Sequence, residues 1–184
     1  MKQAYFVHGW EGSPTNIWFP WLKKEVEKLG YKVKALKMPH PELPTIKEWV
    51  RTLEKEVNPS EETILIGHSI GCQTIMRYLE KPKRKVKAAF FAAPWFNLDL
   101  EDEGEEAVRE AKPWVETPIN FIQVKKNCNY FVAFFSDDDW AVPTSDAELF
   151  KQKINAKIII QEKKSHFELQ MTFPGLLAEI KKAI

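Results

Sequence analysis

The chain has 184 residues, enough for one domain with a real core, and its 27 Lys and Arg against 26 Asp and Glu leave a formal net charge of +1. A balance this close to zero argues against a nucleic-acid partner held by phosphate neutralisation. Cys72 and Cys128 make no disulfide framework, no Cys/His cluster has zinc spacing, and no apolar stretch reaches membrane length.

The elements alternate along the chain. Ala4–Val7 reads as a first strand, entered directly from Lys2 with no signal-peptide pattern, so a cytoplasmic protein without membrane association is expected. Trp18–Leu29 is an amphipathic helix stopped by Gly30, and Tyr31–Leu36 a second strand. Thr45 caps a helix to about Val57, with Glu48 completing a capping box. Ile64–Ile66 is a third strand, followed by a helix whose apolar side chains recur at helical spacing over Cys72–Leu79. The basic run Lys81–Lys87 reads as a solvated loop before a fourth strand, Ala88–Ala92. Asn97–Asn129 is irregular, with an acidic stretch at Asp99–Glu103 and one or two short helices expected over the strand ends. Tyr130–Phe135 and Lys157–Ile160 are the last strands, joined by a helix near Ser145–Lys153, and a helix over Pro174–Ala183 ends the chain.

Near-continuous apolar strands with helical crossovers predict a parallel sheet covered on both faces, a three-layer α/β/α sandwich of about six strands spanning residues 1–184 as one domain. Right-handed crossovers leave few topologies.

Between the third strand and its helix lies Gly67-His68-Ser69-Ile70-Gly71, a G-x-S-x-G. In a strand–turn–helix context this pattern lifts a serine hydroxyl clear of the sheet edge. The glycines let strand and helix approach while the serine takes an unfavourable backbone conformation. A serine hydroxyl needs a base, and the base a carboxylate that fixes its tautomer. The order Ser, Asp, His is met: Ser136-Asp137-Asp138-Asp139-Trp140 follows the fifth strand and Lys164-Ser165-His166-Phe167 the sixth. Of four histidines, His166 alone follows the carboxylate loop. His8 is read as shaping the loop beside the serine, His68 as packing, and His40 as a surface residue without a placed carboxylate. The residues alone leave Asp137, Asp138 and Asp139 open, and adjacent carboxylates repel, so at least one should turn to solvent or donors.

Oxyanion donors are expected at the backbone amides of Ile70 and of Trp10, in the loop after the first strand. Seven tryptophans are many for this length. Trp21 and Trp49 are expected in the core, whereas Trp10, Trp95 and Trp140 sit on loops converging on Ser69 and are expected to wall a pocket suited to an apolar acyl or alcohol group.

Taken together, His8-Gly9, Trp18, Pro20-Trp21-Leu22, the Ser69 pentapeptide, Ala93-Pro94, Asp138-Asp139-Trp140-Ala141-Val142-Pro143 and Ser165-His166-Phe167 resemble the α/β-hydrolase superfamily. More narrowly, they resemble the small serine hydrolases related to retinoblastoma-binding protein nine, the YdeN-like group. In that group the orienting aspartate lies four residues before the proline of its loop, which selects Asp139, with Asp138 as runner-up. The group often has Gly before the histidine, here Ser165, and Pro after the aspartate, here Trp140. The resemblance implies a minimal fold of strand order 2-1-3-4-5-6 without a large lid domain. It implies a serine hydrolase, carboxylesterase-like, that cleaves a small-molecule ester through a Ser69–His166–Asp139 triad and an acyl-enzyme. Nothing calls for a metal or organic cofactor. The alternative is a protein-binding module on a hydrolase fold, instead of catalysis or beside it, and a monomer or small homo-oligomer is expected in either case.

Overall fold

The computed structural model describes residues 1–100 and 104–184. Its strands are β1 (Gln3–Val7), β2 (Lys32–Leu36), β3 (Thr63–His68), β4 (Ala88–Ala92), β5 (Phe131–Ser136) and β6 (Lys157–Gln161). Its helices are α1 (Phe19–Lys28), α2 (Ile46–Glu56), α3 (Ile70–Leu79), α4 (Gly104–Glu116), α5 (Phe121–Asn127), α6 (Asp146–Ile154) and α7 (Pro174–Ala183). The strands pair in parallel, as the sequence predicts, in the order β2-β1-β3-β4-β5-β6 that the family resemblance implies.

Burial explains the arrangement. β3, β4 and β5 are buried at every position, as central strands covered on both faces must be, whereas the edge strands β2 and β6 keep exposed positions. α1 packs with α7, while α2, α3, α5 and α6 pack in succession, which gives the sheet a helical layer on each side. Trp49 lies in the core as expected, whereas Trp21 is only partly buried against it. The basic stretch before β4 is largely exposed, as a solvated loop should be.

Two local expectations need correction. Thr45 Oγ1 accepts the Glu48 N–H at 3.3 Å, but the Glu48 carboxylate accepts from the Thr45 hydroxyl at 2.9 Å instead of reaching back to a backbone amide, so only half of the capping box forms. Between Asn97 and Asn129, α4 is not short: it runs 13 residues with Pro113 inside it. Its C-terminal end is capped from elsewhere, because buried Arg77 on α3 donates through Nη2 to the Trp114 and Thr117 carbonyls, each at 2.8 Å. Residues 101–103 of the expected acidic stretch lie outside the described residues.

Register positions the loops. Val7 pairs with Gly67, so the loop after β1 and the turn after β3 leave the sheet side by side. Ser136 pairs with Gln161, which does the same for the loops after β5 and β6. The order 2-1-3 makes the β1/β3 gap a topological switch point, where open α/β sheets bind ligands.

Candidate active site

β3 turns into α3 at Ser69, whose φ of 51° and ψ of −124° lie outside the ordinary regions. Such a conformation costs of order 1–3 kcal/mol and persists only where neighbours impose it. Here the Ser69 N–H donates to the Ala92 carbonyl on β4, and the Cys72 N–H to the Ser69 carbonyl, both at 2.9 Å. The flanking glycines permit the approach. A Cβ on Gly71 would overlap the Val7 carbonyl oxygen and lie 2.7 Å from that of His8. Both obstacles are backbone and cannot swing aside. Gly71→Ala is therefore expected to cost about 3 kcal/mol, roughly 6–12 °C in Tm, and a thermal melt matching the wild type would contradict the close approach.

Ser69 is 8% exposed, and its hydroxyl makes no hydrogen bond among the described residues. It lines a cleft of about 590 Å³ together with His166, Trp10, Trp95 and Trp140, so all three expected wall tryptophans border it. Trp10 is fixed by an Nε1–H donated to the Glu42 carbonyl at 3.1 Å, and Trp95 by its carbonyl, which accepts from Gln73 Nε2 at 2.7 Å. Among the described residues, neither the Trp10 nor the Ile70 backbone amide has an acceptor.

His166 Nδ1 lies 3.0 Å from both oxygens of Asp139, whose side chain is 2% exposed. A carboxylate only accepts, so Nδ1 carries a proton, and in the neutral ring it is then Nε2 that keeps the lone pair. Asp139 Oδ1 also accepts the Ala141 and Val142 amides at 3.0 Å, which fixes the carboxylate. The other two aspartates turn to donors. Asp138 Oδ1 accepts from Ser136 Oγ at 2.6 Å and the Ser165 amide at 2.8 Å, and these bonds hold its carboxyl below the usual range. Asp137 Oδ1 accepts the Lys163 amide at 2.8 Å. Asp138 and Asp137 thus lace the β5 loop to the histidine loop.

His68 does more than pack. Its Nε2–H donates to the His166 carbonyl at 2.7 Å, and Trp18 Nε1–H donates to the next carbonyl, Phe167, at 3.2 Å. Burial first, then the neighbouring His166, pushes the His68 pKa from 6.5 down to about 3. The unfolded chain takes up this proton below about pH 6.5 and the folded one only near 3, so stability present above pH 6.5 is lost progressively as the pH falls towards 3. Thermal melts from neutral to acidic pH should show Tm falling, and His68→Gln should flatten the fall; an unaltered slope in that variant would contradict the assignment. His8 shapes its loop as expected: its Nε2 accepts the Met38 amide at 3.1 Å, Nδ1 lies 2.8 Å from the Gly9 carbonyl, and burial lowers its pKa. His40 is exposed as expected, but it does have a carboxylate neighbour, Glu42 at 3.7 Å, supplied by the turn of its own loop.

Sequence reading also missed Asp146. Fully buried, it accepts from the Phe96 and Asn97 amides at 2.5 and 2.9 Å and from Asn97 Nδ2 at 2.6 Å, which ties the loop carrying Trp95 to α6. Among the described residues, no group of three or more His, Cys, Asp or Glu could hold a metal ion, and no helix is long and apolar enough to cross a membrane.

A parallel sheet of this order, with a serine at the β3 turn, defines an α/β-hydrolase fold. The chain belongs to the serine hydrolase family, whose model matches residues 4–179. It is 30% identical over 168 residues to the YdeN protein of Bacillus subtilis (strain 168), covering 90% of this chain and 86% of that one. It is likewise 30% identical over 156 residues to serine hydrolase RBBP9 of Rattus norvegicus, covering 84% and 80%. The crystal structure of the B. subtilis ydeN product superposes with a TM-score of 0.87 at 25% identity, covering 100% of this chain and 98% of that one. Est1E of Butyrivibrio proteoclasticus shares the fold at a TM-score of 0.72 and 14% identity, covering 100% and 86%.

Proposed function

We propose that this serine hydrolase cleaves small carboxylic esters through an acyl-enzyme, with Ser69 as nucleophile, His166 as base and then acid, and Asp139 orienting the imidazole. The observation that carries the reading is the His166–Asp139 pair: with Nδ1 committed to the carboxylate, Nε2 is the free base of a ring that lines the cleft with Ser69. Nε2 takes the hydroxyl proton as Oγ bonds to the acyl carbon. The bond to the alcohol then breaks, and His166 returns the proton to the leaving oxygen. Water repeats the sequence and frees the acid. The unpaired Trp10 and Ile70 amides would hold the oxyanion, each such donor typically being worth about 10²–10³ in rate. No hydrogen bond joins Ser69 Oγ to His166 among the described residues; in unliganded sites such bonds are often long and tighten with substrate.

The covalent route is tested by acid-quenching a reaction with p-nitrophenyl acetate and weighing the protein. Acetylated Ser69 is expected early in the reaction. Steady hydrolysis with no acylated protein at any quench time would contradict it.

A further inference from the structure

We propose that the cleft selects substrates that carry positive charge and disfavours anionic ones. This rests on the hydrolase reading above, because it concerns the same cleft. The chain as a whole is nearly neutral, at +1, but the cleft is not. Glu11, Glu42, Glu106, Glu110 and Glu168 line it, and among the described residues no Lys or Arg does. The five come from the loops after β1, β2 and β6 and from α4, so the asymmetry is not the solvated face of one helix.

Local compensation is slight. Glu106 meets Arg109 at 3.0 Å, but both are largely exposed and so well screened. Among the described residues, Glu42 pairs only with His40, at 3.7 Å. Glu168, two residues past His166, accepts from Ser165 Oγ at 2.8 Å through Oε1, while Oε2 is buried and, among the described residues, has no hydrogen-bond partner. A hydroxyl satisfies a lone pair but neutralises no charge.

The aromatic wall is a second, independent feature with the same preference. Trp140 is 51% exposed and its ring lies 5.5 Å from that of His166; Trp10 and Trp95 border the same space. Indole faces attract cations, and carboxylates around a low-dielectric cleft focus their field into it. Ser69, more than nine-tenths buried and with its hydroxyl unpartnered among the described residues, lines the cleft in that field. Negative charge around it also opposes formation of an oxyanion, and an ammonium on the substrate offsets that penalty. The favoured class is an ester with a quaternary or primary ammonium on a short arm. Phosphate-bearing thioesters and dicarboxylate half-esters are disfavoured.

A matched pair of fluorophosphonates tests this, one with a choline arm and one with the uncharged dimethylbutyl arm of the same shape. At low ionic strength the cationic probe is expected to label Ser69 about tenfold faster. That advantage should shrink as salt is raised on the wild-type protein, and shrink again in Glu110→Gln/Glu168→Gln. Equal rates, or a faster uncharged probe, would overturn charge selection and leave the hydrolase reading standing. Failure of both probes to label Ser69 would overturn the hydrolase reading itself.

Discussion

Ser69→Ala and His166→Ala are each expected to lower kcat for an activated ester by about 10⁶-fold, and the double variant to lose no more than either alone. The reason is that in the proposed mechanism the two act as one unit. An alcohol without a base is a poor nucleophile near neutral pH, and a base without the alcohol has no proton to take. Whatever rate survives comes from binding and the oxyanion donors, which neither change touches. Folding should survive both. The Ser69 hydroxyl makes no hydrogen bond among the described residues, and Asp139 without its imidazole still accepts the Ala141 and Val142 amides. Single-turnover kinetics with a p-nitrophenyl ester, with melting curves as the folding control, measure this. Losses that multiplied in the double variant would mean the two side chains work independently.

Asp139→Asn is expected to lower kcat by about 10⁴-fold while leaving the loop in place, because an amide can offer N–H to Nδ1 and favour the tautomer in which Nε2 is already protonated. Asp138→Asn separates the neighbours. Asp138 holds Ser136 Oγ and the Ser165 amide and, among the described residues, makes no hydrogen bond to the ring, so its loss should lower Tm more than kcat. The pH–rate profile distinguishes the two further: only Asp139→Asn should displace the limb set by the imidazole. If Asp138→Asn were the crippled variant, the orienting role would pass to it.

Much of this was legible because its signals are local or ordinal. Apolar strands with helical crossovers give the sheet, and a glycine on each side of Ser69 marks the turn. Asp139 was not separable from its neighbours by residue type; loop spacing in similar proteins singled it out, and the structure puts it against His166. The supports of the histidine loop were not legible, because their partners lie far away in sequence. His68 reaches the His166 carbonyl across 98 residues and Trp18 the Phe167 carbonyl across 149. A histidine inside a G-x-S-x-G gives no sign of which carbonyl it will meet. The glycine that similar proteins often carry before the histidine also gains a reason: Ser165 sits at φ 48°, in the left-handed region where glycine is at ease.

The most direct measurement is to treat the folded protein with a simple alkyl fluorophosphonate and map the adduct by peptide mass spectrometry. One adduct per chain on Ser69, absent in Ser69→Ala and strongly slowed in His166→Ala, is the expected result. A folded wild-type protein that stays unlabelled, or carries the adduct on another residue, would contradict the assignment of Ser69 as the nucleophile.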